Sequence, residues 1–136
     1  MALAGYSGTP LPRKLGIVPG ARVRLVGAPD GIAELLVPWP EGARLLRGGD
    51  DLDVAHLFLT RRAELVPRHT ALAGHVNQAG SIWVAWPKRG AGVATDLTGD
   101  IVRELILPSG WVDTKVCAID ATWSGLRFVR RREIRG

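Results

Sequence analysis

The chain has 136 residues, 46% of them hydrophobic and 23% charged, and a formal net charge of +5. This length accommodates a domain with a sizeable core, and the composition is globular, which excludes extended disorder across the body. No apolar run is long enough for a transmembrane helix, and the N-terminal segment lacks the apolar core of a signal peptide. The single cysteine excludes an intramolecular disulfide and fits a reducing compartment. We therefore expect one cytoplasmic domain, residues 1–136, without a membrane partner.

Arginine supplies most of the 18 basic residues. An excess of basic residues favours anionic partners, but this excess does not distinguish between nucleic acid, a nucleotide and an acidic protein. The C-terminal sequence "RFVRRREIRG" concentrates arginines that the phosphates of a nucleic acid would attract. Phe128 is the only aromatic residue among them, so few rings are available to stack on nucleic-acid bases. A solvated basic surface is the simpler explanation. We do not expect nucleic acid as the partner.

The first half of the chain predicts strands that alternate with short helices. Thr9 and Pro10 predict the start of a helix that ends at Gly16. Asp30 is a predicted cap for about two further turns of helix, which Pro38 stops. The strands predicted here are residues 21–27, 43–47 and 52–60, the last apolar on both faces.

The second half continues this alternation and ends in two consecutive strands. Residues 61–76 look helical, with Pro67 expected to kink the helix or to begin a new one. The segment "TDLTGDIVRELILPSG" predicts an amphipathic helix with Asp96 and Thr98 at its start. The strands predicted here are residues 80–87, 114–120 and 126–131, the last two paired as an antiparallel hairpin.

This alternation predicts an α/β fold. Right-handed crossovers give a mostly parallel sheet with helices on both faces, and the hairpin adds an antiparallel edge. In open sheets of this kind, ligands bind beyond the carboxyl ends of the strands. The rule directs attention to the residues that follow strands, which are residues 27–31, 60–61 and 86–88.

Three segments resemble class I S-adenosylmethionine-dependent methyltransferases. They are "KLGIVPGARVRLVGAPDG", "LDVAHLFL" and "GSIWVAWP". The resemblance implies a three-layer Rossmann-like sandwich of about six strands, trimmed by one strand–helix unit, with strand order 2-1-3-4-6-5. In this chain the family's glycine loop is reduced to Gly27–Gly31, and the second strand ends in Arg47-Gly48 where the family has an acidic residue for the ribose hydroxyls. We therefore predict no cofactor, with S-adenosylmethionine as the alternative.

A second resemblance covers nearly the whole chain. The motifs "GYSGTPL", "WVAWPK", "TDLT" and "TWSGLRFV" are similar to those of an uncharacterised bacterial family, a domain of unknown function. This resemblance implies no activity.

The first group of candidate ligand-binding residues follows the fourth predicted strand. Lys88 could meet a phosphate or a carboxylate there, and a helix that begins near Asp96 and Thr98 would add backbone donors. The segment is not a Walker sequence. An exposed lysine and ordinary helix capping explain the same residues.

The second group lies in the terminal hairpin. Lys115 shares a strand face with Cys117, and a neighbouring ammonium could make the thiol nucleophilic, although buried inert cysteines are commoner. The loop "DATWSGLR" brings an acid, an aromatic ring, a hydroxyl and a cation together, with a tryptophan packed on the sheet edge as the alternative. These candidates are Asp120, Trp123, Ser124 and Arg127.

Three further candidates lie near the expected ligand-binding edge. Tyr6 and Ser7 could close over it as a lid or belong to a mobile tail. Asp30 lies in the loop after the first strand. The histidines His69 and His75 lack the spacing of helical zinc ligands, so we predict no metal site.

The leading functional hypothesis is a non-enzymatic or degenerate methyltransferase-like domain that binds a small anionic ligand or a protein partner at the strand ends. The alternative is a small S-adenosylmethionine- or nucleotide-dependent transferase. In that case Lys88 would orient an anionic group, and Asp96 or Asp120 would act as the base.

Overall fold

A computed structural model describes residues 9–135. Its six-stranded sheet has the order β2-β1-β3-β4-β6-β5. The strands β1 to β4 pair in parallel, whereas β6 runs antiparallel to both β4 and β5. The predicted order and the antiparallel hairpin are therefore confirmed. The strands are β1 Arg22–Val26, β2 Arg44–Leu45, β3 Leu52–Phe58, β4 Val76–Pro87, β5 Trp111–Ala118 and β6 Trp123–Arg130.

Helices connect the strands. The α-helices are α1 Leu11–Lys14, α2 Ile32–Leu35, α3 Arg62–Ala73 and α4 Gly99–Ile106, and two 3-10 helices cover Leu107–Ser109 and Arg132–Ile134. Thr98 begins α4 as predicted, since its hydroxyl accepts the Ile101 N–H at 3.2 Å. Across residues 9–135 no helix combines the length and the apolar character needed to span a bilayer.

The core lies on both faces of the sheet because the central strands are apolar on both sides. In β3, Val54 and Phe58 face α1 and α2, whereas Ala55 and Leu57 face α3 and α4. The buried hydrophobic residues contributed by α3 and α4 are Leu65, Leu72, Val102 and Ile106. The opposite layer contributes Leu15, Ile32 and Leu36.

Three strands, β4, β5 and β6, begin earlier than predicted. β4 begins at Val76 instead of residue 80, and β5 runs from Trp111 to Ala118 instead of 114–120. Trp123 and Ser124, predicted in a loop, begin β6. The ladder between β4 and β6 continues to the pair Pro87–Trp123, so inter-strand hydrogen bonds override the turn-forming composition of this segment.

The predicted caps of α1 and α2 are wrong. Pro10 precedes α1 and Gly31, at φ 90°, precedes α2, and neither helix has a side-chain cap from Thr9 or Asp30. Pro67 starts no new helix, because it lies inside the continuous α3. The buried Leu65 and Leu72 on either side of Pro67 hold this helix on the sheet, which offsets the missing backbone hydrogen bond.

Candidate functional site

A cavity of about 450 Å³ opens where β4 ends and α4 begins. This volume lies within the range of small-molecule sites. We call the cavity the β4–α4 pocket. It brings together four of the predicted ligand-binding residues, Lys88, Asp96, Thr98 and Ser124. The other lining residues are Trp86, Arg89, Thr95, Leu97 and Gly99.

Lys88 is held in place by the β5–β6 hairpin. Its backbone N–H donates to the Thr122 carbonyl at 2.7 Å. Its ammonium donates to the Asp120 carbonyl at 2.8 Å, a bond that uses one of three ammonium donors. The side chain is therefore oriented before any ligand arrives.

Basic residues follow both central parallel strands. Arg61 and Arg62 come shortly after β3, and Lys88 and Arg89 come directly after β4. Because β3 and β4 are neighbours and run in parallel, both basic pairs lie at the same edge of the sheet. This edge therefore carries a positive field that favours anions.

The N-terminus of α4 forms one wall of the pocket. Gly99 packs its backbone on the indole of Trp86, and a Cβ there would lie 3.5 Å from Trp86 Cζ2. The first N–H groups of a helix have no partner within that helix, so they add donors to this wall.

Asp96 caps a different helix from the one predicted. Its carboxylate accepts the Arg62 N–H at 2.7 Å and so caps α3, not α4. The adjacent Thr95 hydroxyl donates to the Thr60 carbonyl at 2.7 Å and accepts the Leu97 N–H at 3.1 Å. The contacts Asp96–Arg62 and Thr95–Thr60 tie the loop after β4 to the segment between β3 and α3. A local sequence pattern gives no sign of this, because the partners lie more than thirty residues apart.

Asp120 and Trp123 have structural partners in the hairpin. The Asp120 carboxylate accepts the N–H groups of Thr122 at 2.8 Å and of Trp123 at 2.7 Å. The Trp123 ring is buried edge-on against Phe58, with ring centroids 5.3 Å apart. Trp123 therefore lies in the core and does not line the β4–α4 pocket.

The remaining candidates lie away from this pocket. Arg127 donates to the Thr114 hydroxyl at 3.1 Å, and burial lowers the pKa of its guanidinium. Asp30 is exposed in the loop after β1. Tyr6 and Ser7 lie outside the described residues.

A second cavity of about 450 Å³, which we call the β5 cavity, lies between α1 and β5. It contains Lys115 and Cys117, the residues predicted to share a strand face. A larger cavity, of about 570 Å³, lies beside the 3-10 helix Arg132–Ile134. That cavity is at the opposite edge of the sheet, where open α/β folds do not place their ligands.

Two polar lining residues of the β4–α4 pocket, Arg89 and Thr95, were not among the predicted candidates. Arg89 follows Lys88 directly, so a second cation after the strand was a usable signal. Thr95 carries no local signal, since its role depends on the end of β3. Within residues 9–135 no group of three or more His, Cys, Asp and Glu side chains is arranged to hold a metal ion.

The loop after β1 approaches the end of β3 closely. Gly27 has φ 70°, and a Cβ at this position would lie 2.8 Å from the Phe58 carbonyl oxygen. Only glycine fits such a turn without strain. Beyond β2, the exposed residue Arg47 stands at the position where the resemblance implies an acid for the ribose hydroxyls.

Comparison with solved structures identifies the architecture. A SAM dependent methyltransferase from Aquifex aeolicus has a TM-score of 0.66 at 12% identity, covering 85% of both chains. The fold is methyltransferase-like. Magnesium protoporphyrin IX methyltransferase from Synechocystis, with SAH bound, scores 0.60 at 12% identity, covering 88% of this chain and 78% of its own. The Methanococcus jannaschii fibrillarin pre-rRNA processing protein scores 0.54 at 12% identity, covering 92% and 70%. No protein-family model and no curated protein sequence matches the chain.

Proposed function

We propose that this protein is a ligand-binding domain of methyltransferase-like fold that takes a small anionic molecule in the β4–α4 pocket. The observation that carries the proposal is the composition of this pocket. Lys88, Arg89 and the N-terminus of α4 line the same cavity, with the hydroxyls of Thr98 and Ser124 beside them. Ammonium and guanidinium groups and backbone N–H donors are the groups that bind phosphates and carboxylates.

The charge balance of the pocket also supports an anion. Asp96 is its one acidic lining residue, and this carboxylate is directed to the Arg62 N–H. Arg61 and Arg62, which follow β3 at the same edge of the sheet, add further positive charge to that edge. A negatively charged ligand would therefore meet net positive charge.

The contacts of Asp96 and Asp120 favour binding over proton abstraction. A general base must reach the proton that it takes, with its carboxylate directed toward the substrate. Asp96 caps α3 and Asp120 holds the hairpin turn, so both carboxylates already serve the fold. This supports a non-catalytic role for the pocket.

The proposal is tested by thermal shift and calorimetry with pyrophosphate and with nucleoside monophosphates as probes. We expect saturable stabilisation of the wild type, because a ligand that binds only the folded state raises the melting temperature. Lys88→Met should weaken binding about tenfold, the effect of losing a charge-assisted contact. Lys88→Arg should retain much of it, because the positive charge remains.

The matched control is Arg44→Met, which removes one exposed cation from β2 at the far edge of the sheet. It should bind the probes as the wild type does. If none of the probes stabilises the wild type more than Lys88→Met, the proposal fails.

A second candidate is a S-adenosylmethionine-dependent transferase, which the structural neighbours favour. The tight Gly27 turn fits a close approach of a ligand to the backbone at the end of β1. The end of β2 does not fit, because Arg47 replaces the carboxylate that would hold ribose hydroxyls. The four-residue α2 is also short for an anion-binding helix after this loop.

Calorimetric titration with S-adenosylmethionine separates the two candidates. We expect no saturable heat at micromolar concentration of the compound. Saturable binding that survives Lys88→Met would favour the transferase and would place the cofactor away from the β4–α4 pocket.

A further inference from the structure

The β5 cavity is a second basic site, on the face of the sheet opposite α3 and α4. Arg13, Lys14 and Lys115 line it together with the Thr9 hydroxyl and the Cys117 thiol. Among the described residues that line it there is no carboxylate. Three cations around a cavity of ligand size lower the energy of an anion placed there.

Two structural elements bring these cations together. Arg13 and Lys14 form the last turn of α1, which packs beside the sheet through Leu11 and Leu15. Lys115 comes from the edge strand β5, immediately after a register shift between Asp113 and Lys115 in its pairing with β6. The cluster is therefore formed by tertiary contact between segments about one hundred residues apart.

The floor of the cavity is rigid and aromatic. The buried Trp83 lines it, and the Trp83 indole N–H donates to the Leu15 carbonyl at 2.9 Å, which fixes the ring against the end of α1. Gly125 leaves room for this ring, since a Cβ at that position would lie 3.2 Å from Trp83 Cε3. A site with fixed walls loses little entropy when a ligand binds.

The pKa of the Cys117 thiol responds to the charged side chains around it. Burial raises the pKa of its thiol, while the charges of Lys14 and Lys88 act in the opposite direction. Two ammonium groups therefore lie close enough to the sulfur to influence it. The thiol is the only one in the chain, so its reactivity can be measured without interference.

We propose that the β5 cavity binds a phosphorylated small molecule, with the phosphate group among Arg13, Lys14 and Lys115 and beside the Cys117 thiol. This site is separate from the β4–α4 pocket and does not depend on the function proposed for that pocket. The ligand class follows from three cations and a hydroxyl around one cavity, since phosphate accepts several charge-assisted hydrogen bonds at once.

The experiment measures the rate at which iodoacetamide alkylates Cys117 as inorganic pyrophosphate is added at constant ionic strength. Bound pyrophosphate should slow alkylation in a saturable way, because it covers the thiol and neutralises the nearby cations. In the double variant Arg13→Gln, Lys115→Gln, the concentration that gives half protection should rise about tenfold. Lys88→Met should alter the unprotected rate, because the Lys88 charge acts on the thiol, but it should keep the wild-type concentration for half protection.

The matched control is Arg44→Gln, Arg47→Gln, which removes two exposed cations from the far edge of the sheet and should retain wild-type protection. Protection that is absent in the wild type, unchanged in the cavity variant or lost in Lys88→Met overturns the proposal. If the thiol resists alkylation, pyrophosphate is titrated calorimetrically into Lys88→Met and into the triple variant Arg13→Gln, Lys88→Met, Lys115→Gln, so that the two proteins differ only in the β5 cavity. Equal affinity of these two proteins for pyrophosphate would then refute the site.

Discussion

Two histidines are buried among aromatic rings. His56 lies 4.5 Å from the Phe58 ring, and His69 meets Trp111 edge-on at 5.1 Å. Both side chains are at most 2% exposed, and their Nε2 atoms have no hydrogen-bond partner among the described residues. Burial lowers the pKa of His56 to about 3. Burial and, second, the Arg130 charge lower that of His69 to about 4. Both rings are therefore neutral at physiological pH.

These rings predict acid sensitivity. The unfolded chain takes up protons as the pH falls below 6.5, while the folded chain does not until the pH nears its lowered pKa values. The contribution of the two neutral rings to stability is therefore complete above pH 6.5, and it is lost progressively as the pH falls from 6.5 toward 4. At pH 4 each ring should lower the free energy of unfolding by about 3 kcal/mol relative to neutral pH. Urea unfolding at several pH values would measure this loss.

The test of this assignment is His69→Gln, which removes one titrating group. It lowers stability at neutral pH but should reduce the loss between pH 7 and pH 4 by about 3 kcal/mol. The control His75→Gln changes an exposed ring that contacts Asp50 and leaves both buried rings in place. If the stability of His69→Gln depends on pH as that of the wild type does, the His69 ring is not the cause of the acid sensitivity.

At the scale of elements, the loop after β4 connects two helices. Thr98 caps α4, and Asp96 caps α3 across a gap of thirty-four residues. The wall of the β4–α4 pocket thus depends on the position of both helices. The loop places Lys88 and Arg89 at one end and the start of α4 at the other.

Asp96→Ala should destabilise the protein by about 1 kcal/mol, because the Arg62 N–H loses its cap. Asp96→Asn keeps an acceptor and should cost less. Both variants remove negative charge from the pocket, so pyrophosphate should bind more tightly to them. Chemical denaturation and calorimetry on the same samples check the two effects. Weaker binding in both variants would mean that the carboxylate itself serves the ligand.

At the scale of the whole molecule, Arg130 joins the helical layer to the sheet. From β6 its guanidinium donates to the carbonyls of Ala73 at 2.8 Å, Val76 at 3.1 Å and Asn77 at 2.7 Å. It also stacks over the Trp111 ring at 4.5 Å. One side chain therefore fixes the end of α3 and the start of β4.

Arg130→Met should destabilise the protein by roughly 2–4 kcal/mol, because three carbonyls lose a charged donor and the contact with Trp111 is lost. The neighbouring Arg131→Met is the control, since Arg131 is exposed and its loss should change stability by about 0.5 kcal/mol or less. Urea denaturation of both variants measures the difference. Equal stabilities would exclude a joining role for Arg130.

The sequence pattern predicted the fold class, whereas the strand order came from the resemblance to class I S-adenosylmethionine-dependent methyltransferases. Alternating apolar strands and helices specify a mostly parallel sheet, and the closing hairpin specifies its antiparallel edge, because these patterns encode which faces are buried. The strand-end rule also pointed to Lys88, which does line the β4–α4 pocket.

The contacts of the candidate side chains follow from the tertiary structure and not from local sequence. Asp96 reaches α3, Lys88 reaches the Asp120 carbonyl, and Trp123 reaches Phe58, all across distant parts of the chain. Local capping and turn propensities are worth only about 1 kcal/mol, so packing and long-range hydrogen bonds override them. The same reason explains why one set of predicted ligand residues separated into the β4–α4 pocket, the β5 cavity and the core.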